Sequence, residues 1–137
     1  MKTVSLAIAL AVIVAGLGAC SDSAGPGRQN PEIVQIGVDK LDAPATVAPD
    51  APLDVVLNVE VGGCTSFDHI TAVRSGSQIN LSAWGKVFTP PNNGYCMDYL
   101  LHESHTIRLE PPFPTKFTLI VQPITFGVLL TRDVQVQ

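Results

Sequence analysis

The stretch Leu53-Asp54-Val55-Val56-Leu57-Asn58-Val59-Glu60-Val61 decides the fold class of this 137-residue chain. Its odd-numbered positions hold only leucine and valine, whereas three of its four even-numbered positions are polar. Successive side chains of a β-strand point to opposite faces of the sheet. The alternation therefore predicts a strand that packs one face on a core and leaves the other largely hydrated. Gly62-Gly63 follows directly and is predicted to end or bulge this strand.

Short apolar runs bounded by turn residues predict further strands on both sides of this one. Residues 70–73 and 79–84 flank Ser75-Gly76-Ser77, whose glycine can adopt a positive φ, so we predict a hairpin there. Residues 106–109 and 117–121 flank a proline-rich segment and predict a unit of strand, loop and strand. The set is completed by the runs 33–38 and 128–136.

The frequency of turn-forming residues is typical of an all-β protein. Eleven prolines and eleven glycines suit a turn-rich fold, and residues 89–94 are predicted to form a long loop. No segment after residue 31 keeps a helical pattern for three turns, although residues 97–105 could form one short turn of helix. Seven to eight strands point to an antiparallel sandwich or a small barrel, and we favour the sandwich.

The spacing of the cysteines relative to the predicted strands resembles that in a group of exported proteins. The succession is Val59-x-Val61-x-x-Cys64-x-x-Phe67, the hairpin, and then Tyr95-Cys96. Over residues 53–121 it is similar to small bacterial lipoproteins with an immunoglobulin-like β-sandwich domain and no assigned activity. The resemblance implies an immunoglobulin-like sandwich only, because true immunoglobulin domains carry a tyrosine two residues before the second cysteine and this chain does not.

The amino terminus has the layout of an export signal. Lys2 supplies a positive charge, and residues 3–17 are uncharged and apolar. This run is shorter than the ~20 residues that a transmembrane helix needs. Leu17-Gly18-Ala19-Cys20 resembles the bacterial lipobox, which implies cleavage before Cys20 and acylation of its thiol, with palmitate among the acyl groups. Residues 1–19 are thus predicted to be a lipoprotein signal peptide, and ordinary secretion without lipid is the alternative.

Residues 20–31 are predicted to form a lipidated tether, and residues 32–137 the β-sandwich domain. The tether consists of linker residues without apolar periodicity. Eleven residues span about 35 Å at full extension, so the domain would stay near the lipid surface. By resemblance, Ser21 directly after the lipidated cysteine favours sorting to the outer membrane of a Gram-negative cell.

Cys64 and Cys96 are the two cysteines that remain once Cys20 is committed to lipid. An even number of cysteines in an oxidising compartment predicts a disulfide. Closing a loop of about 33 residues is worth roughly 3.5–4 kcal/mol in the chain-entropy model. A metal site and two buried free thiols are the alternatives.

Charge and motifs exclude several classes of function. The net charge is −4, and loss of Lys2 with the signal peptide would bring it to −5. The remaining basic residues are scattered singly, so no nucleic-acid partner is predicted. The chain lacks a nucleophile elbow, a zincin motif, a phosphate-binding loop and a dinucleotide fingerprint, so we predict neither an enzyme nor a cofactor.

One local cluster contains residue types that bind metals. His102 and His105 follow Cys96-Met97-Asp98, and such side chains suit copper or zinc. On a strand, residues three apart point to opposite faces, so only a helical turn would bring the imidazoles together. We therefore predict two surface histidines and no metal centre.

Four aromatic residues surround the proline loop: Trp84, Phe88, Tyr95 and Tyr99. They are a candidate contact surface for a peptide, a glycan or a partner protein. The alternative is that they cap one end of the sandwich.

The leading functional hypothesis is a non-catalytic binding or structural module, lipid-anchored in the bacterial cell envelope. The membrane would be its partner through Cys20, with an envelope protein or glycan as a further partner, and the outer membrane its expected site. A lipoprotein inhibitor of a lysozyme or protease is the runner-up, with residues 89–95 as the inhibitory loop. A metal-binding envelope protein is the third hypothesis.

Overall fold

The computed structural model describes residues 31–90, 94–124 and 128–137, which form two packed β-sheets. The predicted signal peptide, Cys20 and the tether up to residue 30 lie outside the described residues. Within these residues there is no helix whose length and apolar character would let it span a bilayer. The strands are β1 (Glu32–Gln35), β2 (Val38–Asp42), β3 (Thr46–Val47), β4 (Leu53–Val61), β5 (Thr65–Ser75), β6 (Gln78–Val87), β7 (Leu101–Leu109), β8 (Lys116–Val121) and β9 (Leu130–Val136).

The small sheet has the strand order β2-β4-β7, and both pairings are antiparallel. Its central strand β4 buries every odd-numbered side chain from Leu53 to Val61, as the alternating sequence predicts. β7 pairs with β4 residue by residue, from Leu53 opposite Leu109 to Val61 opposite Leu101. The turn of helix considered for residues 97–105 is therefore wrong, because the segment from Leu101 onward is held in a ladder with β4.

The large sheet is built around β6. One edge of β6 pairs antiparallel with β5, and the other edge is shared by β1 at one end and β8 at the other. β8 continues to β9, and β9 continues to β3. The predicted hairpin between β5 and β6 is confirmed: Ser75 lies opposite Gln78, and Gly76 has a φ of 57°.

The prediction of an all-β fold is confirmed, but its wholly antiparallel form is corrected. β6 runs parallel to β8, and β3 runs parallel to β9, so the large sheet is mixed. Alternation within a strand indicates which face is buried but not the direction of its neighbour. The described residues also contain nine strands rather than seven to eight, because β2 and β3 are too short and too polar for a pattern to predict them.

The core lies between the two sheets. Its fully buried large side chains come from β4, β6, β8 and β9, and they include Leu53, Leu57, Leu81, Phe117, Leu119 and Val134. No polar or charged residue is buried among the described residues. Each such apolar side chain contributes roughly 1.5–3 kcal/mol by leaving water, so this layer supplies the main favourable term of folding.

Candidate functional site

The predicted disulfide between Cys64 and Cys96 is present, with 5.2 Å between the two Cα atoms. Cys64 lies in the connection from β4 to β5, and Cys96 lies in the connection from β6 to β7. Each connection carries the chain from one sheet to the other. The bond therefore ties together two crossings at one end of the sandwich, rather than two strands of a sheet.

Two glycines allow the crossings to pass close to each other. A Cβ atom on Gly62 would collide with the backbone carbonyl of Tyr99. Gly63 has a φ of 60°, a left-handed conformation that favours glycine. The second crossing is also tied to the first by the amide of Phe88, which donates to the carbonyl of Cys64 at 2.9 Å. The Gly62-Gly63 pair, predicted to end or bulge the strand, also shapes the disulfide region.

A groove of about 620 Å³ lies beside the disulfide. We call it the disulfide groove, and its large side chains are Phe88, Tyr95, Met97 and Tyr99. Among the described residues that line it none is charged, and the polar side chains are the hydroxyls of the two tyrosines and of Thr65, Ser66 and Thr89. Tyr95 is 97% exposed and Met97 is 71% exposed, although both carry large apolar surfaces.

The exposed apolar surface continues past the groove into the start of β7. Leu100 is 59% exposed and Leu101 is 50% exposed. Clusters of exposed apolar side chains on soluble domains mark interaction sites, whereas single ones are common. Met97, Leu100 and Leu101 also belong to this surface, although they are not among the residues predicted for it. The signal was available, since two adjacent leucines at a strand start cannot both face the core.

Three of the four predicted aromatic residues meet at this groove, and Trp84 does not. Trp84 lies on the outer face of the large sheet, where its indole N–H donates to the hydroxyl of Thr71 at 2.9 Å. Its ring is nearly parallel to the imidazole of His69, with 6.1 Å between centroids. The reason is parity, because Ile79 and other odd-numbered residues of β6 face the core and Trp84 therefore points away from it.

The two candidate metal-ligating histidines also lie apart. His102 points outward from β7, and its Nδ1 lies 2.9 Å from a carboxylate oxygen of Asp39. His105 points inward, pairs with Glu103 at 3.0 Å and stacks on the ring of Phe67 with 3.5 Å between centroids. Among the described residues, no group of three or more His, Cys, Asp or Glu side chains is arranged to hold a metal ion.

The charged side chains with altered pKa values lie on the outer faces of the sheets. The hydrogen bond from Arg108 lowers the pKa of Asp54, with N···O distances of 2.8 and 3.0 Å, and Asp54 raises that of Arg108. Lys86 and, to a lesser degree, His69 lower the pKa of Asp68. These networks do not line the disulfide groove.

No protein-family model, curated protein or solved structure matches this chain. The resemblance to small lipoproteins with an immunoglobulin-like domain therefore stays a prediction.

Proposed function

We propose that this chain is a lipid-anchored, non-catalytic binding module of the bacterial cell envelope that holds a partner protein in the disulfide groove. The observation that carries the proposal is the exposure of Tyr95 and Met97 beside a disulfide that fixes both crossings of the chain. A surface that is ordered before binding loses less conformational entropy when it binds. The groove is therefore suited to recognition rather than to closing the core.

The chemistry of the groove favours a protein over a glycan. Aromatic residues and methionine are enriched in protein interfaces, and charged residues are depleted from their centres. Methionine also adapts its shape to irregular apolar partners. The proposed occupant is accordingly an apolar segment of an envelope protein, such as a loop with leucine or phenylalanine side chains.

The position of β1 supports a partner close to the membrane. Glu32, the first residue of β1, lies opposite Val87, and Phe88 of the groove comes next in the chain. The proposed tether therefore joins the domain at the same end as the groove. A tether of about 35 Å would keep this end within reach of the lipid surface.

The lipid anchor and the immunoglobulin-like fold are parts of the same proposal. The lipobox-like Leu17-Gly18-Ala19-Cys20 supports acylation of Cys20. Two packed sheets, joined by connections that cross between them, support an immunoglobulin-like sandwich. Mass spectrometry of the mature amino terminus tests the anchor: we expect Cys20 to be the first residue and to carry added lipid mass. A free amino terminus elsewhere would contradict it.

Photo-crosslinking in intact cells tests the binding site. A photoreactive phenylalanine analogue replaces Tyr95 in the full chain, and Val73, which is 62% exposed on the outer face of the large sheet, provides the control position. We expect a protein adduct at position 95, its loss on Met97→Ser, and no matching adduct at position 73. An adduct with lipid only, the same adduct at both positions, or none at position 95 would overturn the proposed partner.

The exposure of Tyr95 also supports a second candidate function, the inhibition of a lysozyme or protease. A fully exposed aromatic side chain at the end of the predicted loop 89–95 is what a cleft of a lysozyme or protease could accept; residues 91–93 of that loop lie outside the described residues. An inhibitor would reduce the activity of such an enzyme in proportion to its concentration. Tyr95→Ser would abolish that effect.

A further inference from the structure

The free edge of β7 differs from the other strand edges in the described part of the chain. Proteins protect edge strands from pairing with other chains by keeping them short or by adding bulges, prolines or lysines. β1 and β3 are four and two residues long, β2 and β5 contain bulges, and β9 is shorter than β7 and partly covered by β3. β7 pairs with β4 over nine residues without a register shift, and it contains neither proline nor lysine. Its outer edge is thus a long and regular template for another strand.

The inner face of β7 is also incompletely covered. Odd-numbered residues of β7 face the space between the sheets, as the burial of Leu109 indicates. Yet Leu101 is 50% exposed, and the side chain of Glu103 is 45% exposed. The small sheet ends at β7, so these side chains have no strand beside them on that edge within the described residues. An added strand would cover them.

We propose that β7 pairs antiparallel with β7 of a second copy of this chain, with Ser104 opposite Ser104. In this register Glu103 of each copy lies opposite His105 of the other, and Leu101 lies opposite Ile107. Directly opposed side chains of an antiparallel pair lie ≈ 4.5–5.5 Å apart at their Cβ atoms, close enough for such pairs to interact. The arrangement is two-fold symmetric and joins the small sheets of the two copies into one continuous sheet.

The neighbouring registers are disfavoured by charge. Centring the pair on residue 103 places two glutamates opposite each other, which is destabilising. Centring it on residue 105 places the Glu103 carboxylate opposite the aliphatic side chain of Ile107, where it gains no partner. Only the Ser104 register of these three matches each carboxylate with an imidazole.

Glu103 itself would oppose a mispaired strand. An inward-pointing charge on an edge strand ordinarily discourages pairing. Here the carboxylate already lies 3.0 Å from Nε2 of His105 on its own strand. A second imidazole from the other copy adds a partner, so the same residue that blocks other strands selects this one.

Cysteine crosslinking of the full chain in envelope membranes tests both the dimer and its register. Ser104→Cys places the two thiols on opposed residues, within the Cα separation of a disulfide. The control substitutions Thr106→Cys and His102→Cys lie on the same exposed face. In this register each control residue is about 13 Å from the same residue of the other copy. We expect Ser104→Cys to form a reducible dimer under mild oxidation, and both controls to stay at the wild-type level.

A charge change at Glu103 provides the second arm. In a chain that also carries Ser104→Cys, Glu103→Lys should abolish the crosslink, because it removes the carboxylate that faces His105 of the other copy and puts an ammonium group in its place. Glu103→Gln retains hydrogen bonding and should preserve it. Resistance to limited proteolysis equal to that of the wild type shows that each variant is folded, because proteases cut the open form of a chain. A Ser104→Cys crosslink no stronger than wild type, equal crosslinking by Thr106→Cys, or an undiminished crosslink in the folded Glu103→Lys variant would overturn the proposal.

Discussion

The imidazole of His105 lies flat on the ring of Phe67, with 3.5 Å between the ring centroids and 13° between the ring planes. His105 belongs to β7 at the edge of the small sheet, and Phe67 belongs to β5 at the edge of the large sheet. The contact therefore closes the gap between the sheets on the side where both have a free edge among the described residues.

Truncation of Phe67 should open this side of the sandwich. We expect Phe67→Ala to lower the free energy of unfolding by about 2–4 kcal/mol, because it removes partly buried ring surface that packs against the core. Phe67→Leu retains apolar volume and should cost about half as much or less. Urea denaturation of both variants measures the difference. Equal stabilities of wild type and Phe67→Ala would show that the stack adds nothing to the closure of the sheets.

Loss of the disulfide should destabilise the domain without changing its strand order. The double variant Cys64→Ser, Cys96→Ser is expected to lose about 3.5–4 kcal/mol of stability, since the unfolded chain regains the entropy of an open loop. Cys20→Ser is the control, because it removes a cysteine without opening the loop. Thermal unfolding compares the two. A double variant that melts with the control would contradict the prediction.

Acid should weaken the outer-face ion pairs. Asp54 and Asp68 have pKa values below the ordinary 3.8 in the folded chain, through hydrogen bonds from Arg108 and from Lys86. A lowered folded-state pKa means that the carboxylate stabilises the fold above the unfolded-state pKa, and that this contribution is lost as the pH falls through the folded-state value. We therefore expect the melting temperature to decrease as the pH is lowered from about 4.

A matched pair of variants assigns this loss of stability. Asp54→Asn should flatten the acid limb of the stability curve, because it removes one group that takes up a proton on unfolding at low pH. Asp50→Asn is the control, because Asp50 is exposed and forms no ion pair within the described residues. The idea fails if both variants keep the acid limb of the wild type.

The sequence predicted those parts of the fold that depend on local pattern. The alternation in β4 and the glycine at position 76 identified a half-buried strand and a tight hairpin, because each is encoded within a few adjacent residues. The parallel pairing of β6 with β8 could not be predicted in this way, since it depends on how the intervening chain crosses to the other sheet and back.

The candidate site shows the same division. The even number of cysteines predicts the disulfide, and the aromatic residues near the proline loop include Phe88, Tyr95 and Tyr99 of the groove. The close approach of Gly62 to Tyr99 could not be foreseen, because these residues are far apart in the sequence and nothing in either segment encodes the other. Trp84 is near these residues in the sequence but not in the fold, because its even-numbered position on β6 points it to the outer face of the large sheet.

Gly62 should be required for the shape of the disulfide groove. Any Cβ atom at this position would overlap the backbone carbonyl of Tyr99, and a backbone neighbour cannot move aside as a flexible side chain can. Gly62→Ala is therefore expected to displace the segment that carries Met97 and Tyr99 and to cost about 1–3 kcal/mol, as overpacking does in other proteins.

Gly76→Ala is the matched control: its added Cβ meets no atom within 4 Å, so it bears only the cost of a positive φ, about 1–2 kcal/mol. Because the two variants have similar expected stabilities, the distinguishing measurement is the photo-crosslink from position 95. We expect Gly62→Ala to lose the protein adduct and Gly76→Ala to keep it. If both variants keep it, the close approach of Gly62 to Tyr99 does not shape the binding surface.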